Sequence, residues 1–174
     1  MDIAILTSIY KVTDNTILIN FFKLITALGD HGIAILLLIL FLFIYKPCRK
    51  LACLALAALI IEALLVNCSL KPLVMRARPC IVYPQYLRLL SCPTDFSFPS
   101  GHSGSTFAVA GILWFEKSRL RYPVLIFAIV VALSRLVLFV HWPSDILVGI
   151  IIGLLTAYFV HWLNVKKHFT DFIG

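Results

Sequence analysis

Five apolar runs constrain this chain more than any other feature: residues 32–45, 51–70, 104–115, 122–140 and 146–163. A helix needs roughly 20 residues to cross about 30 Å of hydrocarbon. There, only helices and closed barrels satisfy their own backbone polar groups. The second, fourth and fifth runs meet that length directly. The first and third reach it through small or polar residues, 27–31 and 100–103, ends that neighbouring helices would shield. Composition agrees. Apolar residues make up 61% and charged residues 13%, with a mean hydropathy of +1.02, whereas soluble domains carry about 25% charge. The pattern predicts an all-α, polytopic membrane helical bundle: five transmembrane helices plus an N-terminal interfacial helix, in one domain spanning 1–174.

The net charge of +7 does not mark a nucleic-acid partner, because no basic stretch is interleaved with aromatics on a polar face. The positives fall into short clusters between apolar runs, as membrane loops require. Lys46, Arg49, Lys50, Lys117, Arg119, Arg121, Lys166 and Lys167 fall on one face. Lys11, Lys23, Lys71, Arg76, Arg78, Arg88 and Arg135 fall on the other. Setting aside Lys71, Arg78 and Arg135, which have chemical uses below, leaves eight against four. The positive-inside rule then turns the second face outward.

Residues 1–30 read as an amphipathic segment lying in the interface. Thr16, Asn20, Lys23 and Ala27 recur at helical spacing among apolar residues, with Asp14 or Asn15 as the cap. A sixth span from about Ile3 is disfavoured by Lys11 and Asp14. Asp2 in place of a cationic start, followed by these charges, predicts no signal peptide. Gly149 and Gly153 are spaced as G-x-x-x-G, and Gly104, Ala108 and Gly111 line one side of the third run, which prepares close helix contacts.

Three segments carry chemistry, and the span pattern puts them on one face. The first follows the second run and holds Lys71 and Arg78 seven apart, so that on one helix they would stand nearly above one another. The second, Pro99-Ser100-Gly101-His102, enters the third run. The third, Ser134-Arg135 and then His141-Trp142-Pro143-Ser144-Asp145, joins the fourth run to the fifth. A phosphate dianion needs cationic donors in fixed geometry: Lys71 as a point charge, Arg78 and Arg135 as planar forks. Ser100 and Gly101 sit at an expected helix N-terminus, whose free N–H groups bind anions, and Gly101 lets the backbone approach closely. Pro143 suits the first helical position. Asp145 would then accept from one ring nitrogen of His141 and leave the other as nucleophile. His102 would protonate the departing oxygen and then activate water. Singly, a cation after a span is an ordinary snorkelling anchor, Arg135 excepted because it lies inside an apolar run. Three cations, two histidines and an aspartate on one side are not explained that way.

In order and spacing, Lys-x6-Arg-Pro (71–79), Pro-Ser-Gly-His (99–102) and Ser-Arg-x5-His-x3-Asp (134–145) resemble the type-2 phosphatidic acid phosphatase superfamily. The span pattern extends the resemblance over most of the chain. It implies a helical bundle shared with vanadium haloperoxidases and metal-independent hydrolysis without a cofactor. It implies a nucleophile at His141 and phosphate ligands at Lys71, Arg78, Ser100, Gly101, His102 and Arg135. It also implies a membrane-lipid substrate: undecaprenyl pyrophosphate, phosphatidylglycerol phosphate, phosphatidic acid or the 1-phosphate of lipid A. The expected location is the bacterial inner membrane, with the site facing the periplasm. Two other readings use the same residues: a lipid-to-lipid phosphotransferase, and a non-catalytic binder of anionic head groups. Against the binder stands the His141–Asp145 pair, which binding alone does not require.

Other residues take blander expectations. Glu62 and Asn67, inside the second run, suit interhelical hydrogen bonds. Asp30 and His31 mark an interface and cap a helix, while His161 and His168 fall on the opposite face. The outer loop 80–98 joins two motif segments, and within it Cys80 and Cys92 are expected to pair if that face is oxidising. Arg76 and Arg88 are open to two uses, contact with a second phosphate or sugar, and simple anchoring.

Overall fold

The computed structural model describes residues 1–29 and 32–167, which form helices and loops without strands. Asp30, His31 and His168 lie outside the described residues. The N-terminal region is two helices, α1 (Asp2–Val12) and α2 (Thr16–Gly29), where a single segment was expected. The break is made by Asn15, whose Oδ1 accepts from the N–H groups of Ile17 and Leu18 at 2.9 and 3.2 Å. Asn15, not Asp14, is therefore the cap. There follow α3 (Ile33–Ile44) and α4 (Arg49–Ala63), the latter continuing through a π-helical stretch (Leu64–Leu70) into α5 (Lys71–Val74). A short α6 (Pro79–Val82) opens the loop 80–98. The bundle is completed by α7 (Gly101–Phe115), α8 (Arg121–Val137) and α9 (Pro143–Lys167).

Two helical stretches, Lys46–Val82 and Pro143–Lys166, are each long and apolar enough to cross a membrane. The pair α2 and α3, bent by 53°, makes a third candidate if taken as one span. The other expected spans are shorter than a bilayer, with 15 residues in α7 and 17 in α8. For α7 the reason is its place at the centre, where protein surrounds it and lipid contact is not required. Every residue from Thr106 to Leu113 is buried, and α7 packs against α4, α8 and α9.

Glycine sets the α7–α9 spacing. A Cβ on Gly149 would sit 2.5 Å from the Ser100 carbonyl oxygen, and one on Gly153 would collide with the Gly104 carbonyl and lie 2.9 Å from the Ala108 nitrogen. These are backbone atoms, which cannot swing aside, so the G-x-x-x-G spacing is what lets the two helices touch. The outer surface is apolar in turn. Leu37, Leu40 and Phe41 on α3, Ile126 and Leu133 on α8, and Leu147, Ile151 and Leu155 on α9 are all exposed. An apolar surface of that extent belongs in lipid. On α2 the exposed residues Ile17, Phe21, Leu24 and Leu28 form one stripe, while Phe22, Thr26 and Gly29 are buried. A disulfide joins Cys80 to Cys92 in the loop 80–98, and Cys48, Cys53 and Cys68 are free.

Gly153→Ala tests this contact. Overpacking against backbone costs about 1–3 kcal/mol, so the variant is expected to melt several degrees below wild type in detergent. An unchanged melting temperature would show that α7 and α9 are not held at backbone distance.

Candidate active site

Helix α5 stops after one turn because Met75 takes a left-handed conformation, φ 50°, with its N–H on the Lys71 carbonyl at 3.0 Å. Lys71 and Arg78 therefore do not stand on one helix, as their spacing had suggested. The chain turns, and Arg78 becomes the extended residue before α6. The two cations meet through a residue from the loop 80–98. Lys71 Nζ donates to Asp95 Oδ2, Arg78 Nη2 donates to Asp95 Oδ1 at 2.7 Å, and Arg78 Nε donates to the Asp95 carbonyl at 2.9 Å. Burial alone would raise the Asp95 carboxyl, but the Lys71 hydrogen bond and the charges of Arg78 and Lys71 outweigh it and hold the group at about 2.

The end of α8 sets the next residues. Phe139 is left-handed, φ 60°. Its N–H bonds the Leu136 carbonyl at 3.0 Å and that of Val140 bonds the Arg135 carbonyl at 3.1 Å, the double closure of a Schellman motif. Phe139 is fully buried and clusters with Leu6 and Trp142. Residues 140 and 141 are thereby laid against Arg78, whose Nη1 reaches the Val140 carbonyl at 2.8 Å and His141 Nε2 at 3.0 Å. A guanidinium can only donate, so Nε2 holds the lone pair and Nδ1 the proton. Nδ1 lies 3.5 Å from Asp145 Oδ2 and 3.5 Å from Ser97 Oγ. Asp145 is wholly buried. Its Oδ2 accepts from Ser97 Oγ and from the Trp142 N–H at 3.0 Å, and its Oδ1 accepts from Arg76 Nη1 at 2.6 Å. Burial first, and then the charges of Arg78, Arg135, His102 and Lys71, keep His141 well below its ordinary value of 6.5.

Ser100 caps α7, its Oγ accepting from the Ser103 N–H at 3.4 Å, while its own N–H bonds the Asp145 carbonyl at 3.1 Å. Its side chain is fully buried. Gly101 and His102, by contrast, line a cavity of about 520 Å³ together with Lys71, Arg78, Asp95 and Arg135. A Cβ on Gly101 would meet Asn67 Oδ1 at 3.6 Å and Lys71 Nζ at 4.0 Å, ordinary contact distances that set Gly101 beside the Lys71 ammonium. Arg135 is buried and donates to Thr26 of α2. The wall also includes the polar Glu62, Asn67 and Ser105 and the apolar Leu36, Leu59 and Ala63. Glu62 packs against Gly104, and its Oε1 has no hydrogen-bond partner among the described residues.

Residues 48–169 match the model of the PAP2 superfamily. The chain belongs to that superfamily. Over 125 residues it is 37% identical to a decaprenylphosphoryl-5-phosphoribose phosphatase of Mycobacterium tuberculosis, an alignment covering 72% of this chain and 68% of that one. The fold is similar to that of LpxE from Aquifex aeolicus, with a TM-score of 0.78 and 25% identity over 91% of this chain and 93% of the other. A transmembrane PAP2-type phosphatidylglycerolphosphate phosphatase from Bacillus subtilis gives a TM-score of 0.77 and 28% identity, over 95% and 85% of the two chains. The chain is thus a membrane phosphatase of the PAP2 superfamily.

Of the residues singled out from the PAP2-like motifs, Lys71, Arg78, Gly101, His102 and Arg135 line one cavity. His141 stands directly behind Arg78 with Asp145 beyond it, and the Ser100 side chain faces away into the α7 cap. Two contributors escaped the sequence reading, Asp95 and Ser97, and so did the contact that Arg76 makes with Asp145. Arg76 reaches the Asp145 carboxylate, and Arg88 donates to carbonyls of Tyr10, Thr13 and Val137. Neither is among the residues that line this cavity. His161 pairs with Glu116 at 2.8 Å, away from the site.

The lowered His141 value has a consequence for stability. The unfolded chain takes up this proton near pH 6.5 while the folded chain does not, so the stabilisation is present above that pH and declines as pH falls below it. The melting temperature in detergent is expected to drop between pH 7 and pH 5, with a shallower drop in His141→Asn. Parallel curves for the two proteins would contradict a buried neutral imidazole.

Proposed function

We propose that this PAP2 phosphatase hydrolyses a phosphate or pyrophosphate group from a membrane lipid through a phosphohistidine at His141, without a metal. The observation that carries the reading is the convergence of Lys71, Arg78 and Arg135 on one cavity, with His141 Nε2, an unprotonated nitrogen, 3.0 Å from Arg78. The incoming phosphoryl group displaces the Asp95 carboxylate and takes over Lys71 and Arg78. Gly101 and the free N–H groups at the start of α7 hold a further oxygen. His141 Nε2 attacks phosphorus, the bond to the lipid oxygen breaks, and His102 gives that oxygen a proton. His102 then takes a proton from water, whose oxygen attacks phosphorus and breaks the P–N bond. Asp145, beside Nδ1, stabilises the ring while it carries positive charge. The cations offset charge on the equatorial oxygens in both steps.

The cavity is lined by the apolar Leu36, Leu59 and Ala63 as well as by the cations, which suits a substrate with one polar end and a hydrocarbon chain. Undecaprenyl pyrophosphate, phosphatidylglycerol phosphate and lipid A 1-phosphate all have that form. The same proposal includes five spans with residues 1–30 in the interface, and a site on the outer face of a bacterial cytoplasmic membrane. The Cys80–Cys92 disulfide supports the outward face, since such bonds persist in oxidising compartments.

Phosphate release in detergent with EDTA, from a panel of these lipids, tests the reading. Wild type is expected to release phosphate from at least one, and His141→Ala to fall by 10³-fold or more, on the order of the loss when an attacking residue is removed. No release, or equal release from the variant, would contradict it. Displacement of Asp95 makes a separate expectation. Lys71 and Arg78 are buried but Asp95 is half exposed, so the upper end for solvent-screened pairs, about 1 kcal/mol, applies, and Asp95→Asn should lower the inhibition constant of inorganic phosphate about fivefold. Weaker or unchanged inhibition would show that Asp95 does not compete for the cations.

A further inference from the structure

Asp145 is enclosed on every side, yet one of its two oxygens is committed to a residue that lines no part of the cavity. Oδ2 faces His141 Nδ1 at 3.5 Å and takes Ser97 Oγ and the Trp142 N–H. Oδ1 takes Arg76 Nη1 at 2.6 Å. Arg76 is itself held from three directions. Its Nη1 also reaches Ser144 Oγ at 2.7 Å, its Nη2 reaches Asp2 Oδ2 at 2.8 Å, and its guanidinium carbon lies 5.2 Å from the centre of the Trp142 ring. Ser144 donates to the same Asp2 oxygen, which closes a ring of contacts between α1 and the first turn of α9.

Helix α1 is fixed at its other end as well. Arg88 donates to the Tyr10 carbonyl at 2.8 Å and to Thr13 Oγ1 at 2.7 Å, and its guanidinium lies 3.9 Å from the centre of the Tyr10 ring. Between these clamps Leu6 is fully buried against Phe139 and Trp142. The helix is thus stapled to the two residues that flank the His141 segment. An amphipathic anchor serving only the membrane surface requires none of these contacts.

We propose that Arg76 is a positioning residue for the phosphatase reaction, holding Asp145 in register with His141, and that α1 completes this device through Asp2. The inference rests on His141 being the nucleophile, as argued above. A carboxylate bound at one oxygen can rotate about its Cβ–Cγ bond and carry the other away from the imidazole. The Arg76 fork fixes Oδ1 and so fixes where Oδ2 points. The guanidinium also draws on the carboxylate charge, which weakens the pull of Asp145 on the Nδ1 proton. The other charged groups around His141 are Arg78, Arg135, His102 and Lys71, with Asp95 beyond Arg78 and Lys71. All four of those nearest groups are cationic or can become so, which leaves Asp145 as the anion that sets the orientation of the ring.

The test uses the full chain in detergent with EDTA and a lipid phosphate that wild type hydrolyses. Groups that orient a metal-ligating histidine are worth about 10- to 100-fold, and a comparable factor is expected for a group that orients a nucleophilic one. Arg76→Gln is therefore expected to lower kcat by about 10- to 100-fold with KM changed less than about threefold, and to move the acid limb of the kcat–pH profile upward. Arg76→Lys should recover part of kcat. Asp2→Asn should lower kcat by a smaller factor, and the double variant Asp2→Asn/Arg76→Gln should be no worse than Arg76→Gln alone, because the two act in series. If Arg76→Gln does not fold, Asp2→Asn carries the test by the same readout. Wild-type kcat and pH profile in these variants, or losses that multiply in the double variant, would overturn the positioning role and leave the nucleophile assignment standing. Inactivity of wild type towards every lipid phosphate would overturn both.

Discussion

The contact between the backbones of α7 and α9 is the constraint on which the site depends. Gly149 and Gly153 bring α9 against the Ser100 and Gly104 carbonyls. At the top of that contact the Ser100 N–H bonds the Asp145 carbonyl at 3.1 Å. One seam therefore fixes the N-terminus of α7, which presents Gly101 and His102, relative to the N-terminus of α9, which presents Asp145. Any side chain inserted along it would move the two halves of the site apart. In lipid, where the hydrophobic effect does not drive helices together, small residues and backbone proximity supply the association.

Against this rigid seam, the charged part of the site is assembled from loops. Cations placed together in a mostly apolar bundle repel one another and lose hydration, a cost met only by anions of fitting geometry. Asp95 serves both Lys71 and Arg78, and Asp145 serves Arg76, so each of these three cations meets a carboxylate. The two carboxylates differ in permanence. The Asp95 side chain is about half exposed, whereas that of Asp145 is sealed. That difference fits one anion that yields to a phosphoryl group and another that stays to orient His141.

The sequence made the motif residues legible because the chemistry needs those residue types at fixed separations along the chain. His141 and Asp145 flank a proline that starts a helix, and Ser100 and Gly101 precede an apolar run, so local rules sufficed. Their partners followed no local rule. Asp95 meets Lys71 across 24 positions, Ser97 meets Asp145 across 48, and Arg76 meets Asp2 across 74. Spacing also misled at Lys71 and Arg78, since nothing in the residues between them announces the left-handed turn at Met75. At the N-terminus, Lys11 and Asp14 masked a helix whose one fully buried residue, Leu6, gives no periodic signal. Helix α7 is as short as its apolar run and the polar residues before it, because a segment surrounded by protein need not reach across the bilayer.

The central claim, a covalent bond between His141 and phosphorus, is tested most directly by rapid acid-free quenching of the enzyme with a ³²P-labelled lipid phosphate that supports turnover. The account predicts a label that survives alkali, is lost in acid as an N-phosphate should be, maps to the peptide containing His141, and is absent from His141→Ala. Turnover at full rate with no protein-bound label during the first cycle, or a label that survives acid or maps to another residue, would contradict it.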